Sequence, residues 1–169
     1  ISDSNGLQGI SEGISGRELM EYGLKHLLLK AWEMNGSSAR LSGGWHMKLL
    51  SFAVPCYNSE AYMEKCIKSC LAGGDDVEII IVDDGSTKDD TLKIAKEYEA
   101  KYPNIVKAVH QENGGHGQAV NTGLANATGM FFKVVDSDDW VDVKSYKKIL
   151  TKLKSFVEED DLPDMLIAN

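Results

Sequence analysis

Phe131-Phe132-Lys133-Val134-Val135-Asp136-Ser137-Asp138-Asp139-Trp140 is the stretch on which the reading of this chain turns. A mostly apolar, β-branched run of the kind that fits a pleated, buried surface ends abruptly in Asp136, Asp138 and Asp139. At ~5 Å and an effective dielectric of ~20, each pair of such carboxylates repels by roughly 3 kcal/mol. A cation, a helix N-terminus or open water must offset that repulsion. Asp139 can cap the helix expected around 142–157, which leaves Asp136 and Asp138 one residue apart at a strand end. A D-x-D pair so placed suits Mg²⁺ or Mn²⁺. These ions take hard oxygen ligands, often one or two carboxylates completed by water and phosphate oxygens.

The same strand-then-polar-loop pattern recurs upstream. LLSFAV (49–54) precedes a helical pattern around 60–71, and VEIIIV (77–82) precedes one around 88–102, closed by Pro103. IVKAVH (105–110) precedes a short one around 117–127, and MFFKVV (130–135) precedes the one around 142–157. DMLIAN (164–169) reads as a fifth strand. Strands separated by helices of this length imply βαβ crossovers and a mainly parallel, Rossmann-like α/β sheet. The near-continuous apolar strands fit a sheet covered on both faces. In such sheets ligands bind beyond the carboxyl ends of the strands, which directs attention to four loops.

The first strand runs into PCYNSE (55–60), where Tyr57 offers a ring for stacking and Asn58 or Ser59 can cap the next helix. The second runs into DDGSTKDD (83–90). There Asp83 and Asp84 stand at the tip, Gly85 permits a tight turn, and Thr87 with Asp90 has capping-box spacing. The third runs into QENGGHGQAVN (111–121), whose glycines let backbone approach a ligand closely. The fourth is DSDDW (136–140). Each of the first three loops taken alone is explained as well by ordinary turn and cap chemistry, whereas one helix cap does not require the three acids of the fourth. His116 could touch a phosphate or a sugar, or simply be solvated, and His110 reads as strand-end packing.

Composition sets the outer bounds. The 169 residues, 43% hydrophobic and 26% charged, are ordinary for a globular domain with a sizeable core. A net charge of −8 argues against nucleic acid as partner, because a phosphate-backbone binder needs a basic face. It leaves room for a small anion held through a metal. No apolar run approaches the ~20 residues that span a bilayer, and the polar, Gly/Ser-rich start reads as lacking a secretory signal. Cys56, Cys66 and Cys70 form no disulfide pattern, and Cys66 and Cys70 read as small core hydrophobes in a reducing, cytoplasmic setting. Residues 1–46 read as an appendage. Ser15 and Glu18 have capping-box spacing, Leu24, Leu27, Leu28, Ala31 and Trp32 form a helical stripe, and GSSARLSGGWHM (36–47) has linker composition. The segment reads equally as vector-derived, with Met47 as the natural start, or as a native docking helix, and residues 47–169 read as the functional domain.

Together, SFAVPCYNSEAYMEKCIKSCL, VEIIIVDDGSTKDDT and NGGHGQAVNTGLANATGMFFKVVDSDDW, in this order, resemble the family 2 glycosyltransferases of the GT-A fold over about residues 48–169. The resemblance implies a nucleotide-diphospho-sugar donor, most often a UDP-sugar, and transfer to a hydroxyl of a glycan, lipid or other acceptor. By the same resemblance, Pro55, Tyr57 and Asn58 lie against the nucleoside and Asp84 bonds the uracil edge. Gly115 and Asn121 belong to the loop over the nucleotide. Asp138 ligates Mg²⁺ or Mn²⁺, and Asp136 approaches the ribose or the metal's shell. Val120 departs from the family's common Arg, which weakens a cationic phosphate contact there. Inverting members also need a carboxylate general base, expected beyond Asn169, so the catalytic residues are unknown and the chain reads as the donor half, cut after its fifth strand. It is expected in the cytoplasm, at the inner face of the membrane if the full-length protein associates with one. An exposed sheet edge or the N-terminal helix could pair two copies.

Other classes compete. A receiver-type signalling domain would hold Mg²⁺ on Asp83 and Asp84 and phosphorylate Asp136, yet its acidic pair belongs on the first strand. A haloacid-dehalogenase-like phosphatase would use Asp136 as nucleophile and Asp138 as acid, but its motif opens the domain. A cysteine hydrolase on Cys56 and His116 has no evident third group. A nucleotide-sugar-binding fragment without catalysis is the serious alternative.

Overall fold

The computed structural model describes residues 48–159 and 162–167. The elements are β1 (Leu50–Cys56), α1 (Met63–Cys70), a 3₁₀ segment (Leu71–Asp76), β2 (Val77–Asp84), α2 (Thr91–Lys101), β3 (Val106–Gln111), α3 (His116–Asn126), β4 (Phe131–Val134) and α4 (Val143–Glu158). The four strands form one sheet in the order β3-β2-β1-β4, and every pairing is parallel. This is the βαβ architecture that the alternating pattern predicts. Among the described residues no helix is long and apolar enough to cross a membrane.

The central strands are apolar without alternation because both their faces are covered. Every residue of β1 is buried, and β2 is buried throughout except for Glu78 at its second position. Successive side chains point to opposite faces, and two neighbouring contacts show what lies on each. Phe52 meets the Tyr146 ring of α4 edge-on, with centroids 5.4 Å apart. Ala53 packs under Gly123 of α3, whose neighbours Ala119, Ile80 and Val82 form a buried cluster. The small residues Ala119 and Gly123 let α3 lie close to the sheet.

Register places the functional loops. Cys56 stands opposite Asp83, and Asp84 opposite Gln111, so the ends of β1, β2 and β3 are level. β4 pairs with β1 only through Leu50–Ala53, and the Val135 N–H then donates to the Ala53 carbonyl at 3.0 Å. The acids that follow therefore emerge on the same rim.

Several local expectations are corrected. The fifth strand predicted at 164–169 is not formed over 164–167, where Met165 and Ile167 are 74% and 76% exposed. Apolar character there finds neither a ladder partner nor a core, and β propensity expresses such packing rather than a backbone preference. The first helix starts at Met63, and neither Asn58 nor Ser59 caps it by side chain. Asp90 makes no side-chain cap on α2, so the Thr87–Asp90 box does not form. Asp142, not Asp139, caps α4, accepting from the Ser145 N–H at 2.8 Å. The Ser15–Glu18 box, the Leu24–Trp32 stripe and the appendage boundary at 46 lie outside the described residues.

The seat of α3 is testable. A Cβ added at Gly123 would stand 2.5 Å from the Ala53 Cβ, on a central strand that cannot yield. Gly123→Val is expected to lose about 1–3 kcal/mol of stability through overpacking, read as a lower urea midpoint. An unchanged midpoint would mean that α3 rides out from the sheet without cost.

Candidate functional site

The strand ends enclose a cleft of about 450 Å³. Pro55, Cys56, Tyr57, Ser59 and Tyr62 line it from β1 and the following loop. Asp84 lines it from β2, Asn113, Gly115, His116 and Ala119 from the β3–α3 region, and Asp136, Ser137 and Asp138 from the end of β4. Tyr57 and Tyr62 are 48% and 42% exposed, so both rings are open to a ligand.

Hydrogen bonds between distant positions hold the loops together. Asn58 has φ 50°, a left-handed conformation that asparagine tolerates better than most residues. This lets its amide oxygen accept from the Thr87 and Lys88 N–H groups at 3.2 and 3.1 Å, while its own N–H donates to Ser86 Oγ at 2.8 Å. Beside it, the Glu60 N–H donates to Asp89 Oδ2, and the Asp90 N–H donates to Glu60 Oε2. The Ser59 hydroxyl accepts from the Tyr57 N–H at 3.1 Å and lies 2.9 Å from the Ser137 hydroxyl, between the two acids of the D-x-D pair. The Ser59 N–H donates to Thr91 Oγ1 at 2.7 Å. The β1, β2 and β4 loops are thus tied into one rim.

The two aspartates at the end of β2 have different tasks. Asp83 is fully buried, bonded to His110 Nδ1 at 2.7 Å and accepting from the Ser86 N–H at 3.3 Å. Asp84 is 3% exposed. Its Oδ1 accepts from Gln111 Nε2 at 2.7 Å and the Gly114 N–H at 2.8 Å, and its Oδ2 accepts from the Gly115 N–H at 2.8 Å. Burial by itself would raise this carboxyl, but the Gly114, Gln111 and Gly115 donors outweigh it and hold Asp84 below the ordinary carboxylate value. A carboxylate oxygen accepts about two hydrogen bonds, so Oδ2 keeps one acceptor position. Gly115 has φ 84°, which a side chain would strain, and Gly85 at φ 70° faces the Asn113 backbone, where a Cβ would come within 2.7 Å of nitrogen.

Asp136 and Asp138 are exposed, in contrast. His116 Nε2 stands 3.7 Å from Asp136 Oδ1, beyond hydrogen-bond length. The pair of hard-oxygen donors fits Mg²⁺ or Mn²⁺ in kind. Among the described residues no group of three His, Cys, Asp or Glu side chains could hold a metal, so a cation here would complete its shell from ligand and water. Cys56 is buried, and its surroundings disfavour the nucleophilic thiolate. Burial pushes its thiol up to about 12, and Asp83 adds to the rise against smaller opposing bonds from Ser59 and Ser137.

Of the residues singled out from sequence, the cleft gathers Pro55, Tyr57, Asp84, Gly115, Asp136 and Asp138. Asn58 lies behind it as the tie to the β2 loop, and Asn121 is exposed on α3 outside the lining. The sequence does not single out Ser137 or Gln111, and it marks Ser59 only as a helix cap, not as a tie to the β4 loop. Only the position of Ser137 between two acids hinted at a part in the rim.

A cleft at the carboxyl edge of a parallel sheet is where ligands bind in open α/β folds, and here a D-x-D pair stands on its wall. The family model for glycosyl transferase family 2 matches residues 51–157, and the chain belongs to that family. The putative glycosyltransferase EpsH of Bacillus subtilis (strain 168) is 45% identical over 121 residues, covering 71% of this chain and 33% of EpsH. Chondroitin synthase of Escherichia coli is 36% identical over 107 residues, covering 63% of this chain and 15% of that protein. The crystal structure of S. aureus TarS 1-349 in complex with UDP matches with a TM-score of 0.55 at 27% identity, covering 72% of this chain and 38% of that one. The parallel sheet with flanking helices is the GT-A arrangement of these structures. The chain spans a third or less of the length of the curated relatives named here.

The Asp84 contacts set a pH dependence. Its carboxyl in the folded state lies below the ordinary value of 3.8, so the unfolded chain binds more protons between the two values. The stabilisation is therefore complete above the ordinary value and is lost as pH falls through the folded one. Asp84→Asn, which turns an N–H₂ toward backbone donors, is expected to lose about 1–3 kcal/mol at neutral pH. It should also flatten the acid limb of stability in urea titrations. Equal acid limbs in both proteins would remove Asp84 from that account.

Proposed function

We propose that this chain is the donor-binding part of a glycosyltransferase that takes a nucleotide-diphospho-sugar, with UDP as the nucleotide, and passes the sugar to an acceptor hydroxyl. The observation that carries this reading is the meeting of Tyr57, Asp84, Asp136 and Asp138 on one cleft. The Tyr57 ring stacks on the base, and Pro55 backs the nucleoside. Asp84, ionised and with an acceptor position left on Oδ2, receives an N–H of the base edge. Gly115 brings backbone close to the nucleotide, and Asn58 serves by holding the β2 loop in place. Asn121, outside the lining, has at most an indirect part.

Asp138 and Asp136 would hold Mg²⁺ or Mn²⁺, with Asp136 also able to reach the ribose. When bound, the cation neutralises diphosphate charge, including the charge that grows as the sugar departs. The chain's own contribution is to position and desolvate the donor. The acceptor is a glycan, lipid or other hydroxyl compound, and no residue of this cleft is assigned as the general base that takes its proton. We place the reaction in the cytoplasm, at the inner face of the membrane if the acceptor is membrane-borne.

A second reading, donor binding without turnover by these residues alone, follows from the chain spanning a third of EpsH. The receiver-type reading loses ground because Asp83, one of the two acids it needs for its metal, is fully buried against His110.

Calorimetric titration with UDP, with and without Mn²⁺, is the test. The wild-type chain should bind UDP more tightly with the metal. Asp138→Asn should weaken the metal-dependent part by about tenfold or more, since even outer-shell changes at metal sites cost 10–100-fold, while leaving the circular dichroism unchanged. Identical binding in the two proteins would take Asp138 out of the site.

A further inference from the structure

We infer that His116 is the residue through which this chain contacts the diphosphate of its donor directly. The inference rests on the donor-binding reading above and adds a specific residue to it. Among the described residues lining the cleft, His116 is the one basic side chain, while three of the others, Asp84, Asp136 and Asp138, are acids. The nearby Lys65 is not in the lining, and its ammonium sits over the Trp140 ring, 2.8 Å from the centroid. Position 120, one turn further along α3, carries Val, which offers no donor.

The geometry directs His116 to this task. It is the first residue of α3, set by the left-handed turn at Gly115. Its side chain is 64% exposed and lines the cleft, and Nε2 lies 3.7 Å from Asp136 Oδ1. That separation is too long for a hydrogen bond, so Nε2 remains free to donate. A diphosphate drawn to the Asp136–Asp138 wall by a cation would present its oxygens beside this nitrogen. With hydrogen on Nε2, the imidazole donates to a phosphate oxygen, and a charged acceptor makes that bond stronger than a neutral pair. The requirement on the ligand is a pyrophosphate or phosphate ester, not a particular base or sugar.

UDP and uridine separate this contact from base recognition. Both are titrated into the full chain by calorimetry in the presence of Mn²⁺, with Mn²⁺ titrated alone as a third arm. His116→Ala is expected to weaken UDP by about tenfold and to leave uridine and Mn²⁺ alone within about twofold. His116→Gln, whose amide N–H reaches near the position of Nε2, should recover most of the UDP affinity. Equal losses for UDP and uridine would assign His116 to loop structure and overturn the inference. A loss of Mn²⁺ binding without nucleotide would make it a metal ligand and overturn it as well, and so would UDP affinity unchanged in His116→Ala. If the wild-type chain binds no UDP at all, the donor-binding reading falls first. UDP binding that survives in His116→Ala but drops in Asp138→Asn leaves that reading standing and removes only the histidine.

Discussion

The rim depends on one ionised carboxylate. Asp84 ends a central strand and spends both oxygens on a loop some thirty residues further on, through Gln111, Gly114 and Gly115. Backbone N–H groups in a glycine-rich turn have no side chains to shield them and must find acceptors. A buried anion supplies acceptors for two of them, and those donors in turn make it tolerable to bury an anion. Loop and acid stabilise each other, and His116 stands where it does because Gly115 is pinned.

The rest of the cleft follows from parallel register. Because β1, β2 and β3 end level and β4 runs beside β1, groups far apart in sequence share an edge without any one loop reaching far. That edge carries a surplus of negative charge in a protein whose net charge is −8. The surplus is distributed unequally. Asp83 and Asp84 are buried and hydrogen-bonded, whereas Asp136 and Asp138 face solvent. Charge satisfied internally builds the frame, and charge left exposed is available to a cation.

The sequence displayed whatever is encoded locally. Apolar runs marked β1 to β4, and the acids and glycines at their ends pointed to one edge, because strand direction and side-chain chemistry are readable within about ten residues. Helix starts were less legible. Asn58, Ser59 and Asp90 are ordinary capping residues, but Asn58 and Ser59 are drawn into bonds with Ser86, Thr87, Lys88 and Ser137, which no short window reveals. The structural task of Asp84 was hidden for the same reason, since its partners lie on another strand and loop. DMLIAN misled because its composition suits a strand while pairing, which composition does not encode, decides whether one forms.

The bonds joining Asn58 to the Ser86–Lys88 turn and Glu60 to Asp89 and Asp90 have a thermodynamic consequence. The wall that carries Tyr57 is preorganised, so the conformational entropy of ordering it is lost at folding and not at each encounter with a ligand. The opposite wall carries its acids on a loop tied across by the Ser59–Ser137 hydroxyl contact. Both walls are thus set in place before a ligand arrives.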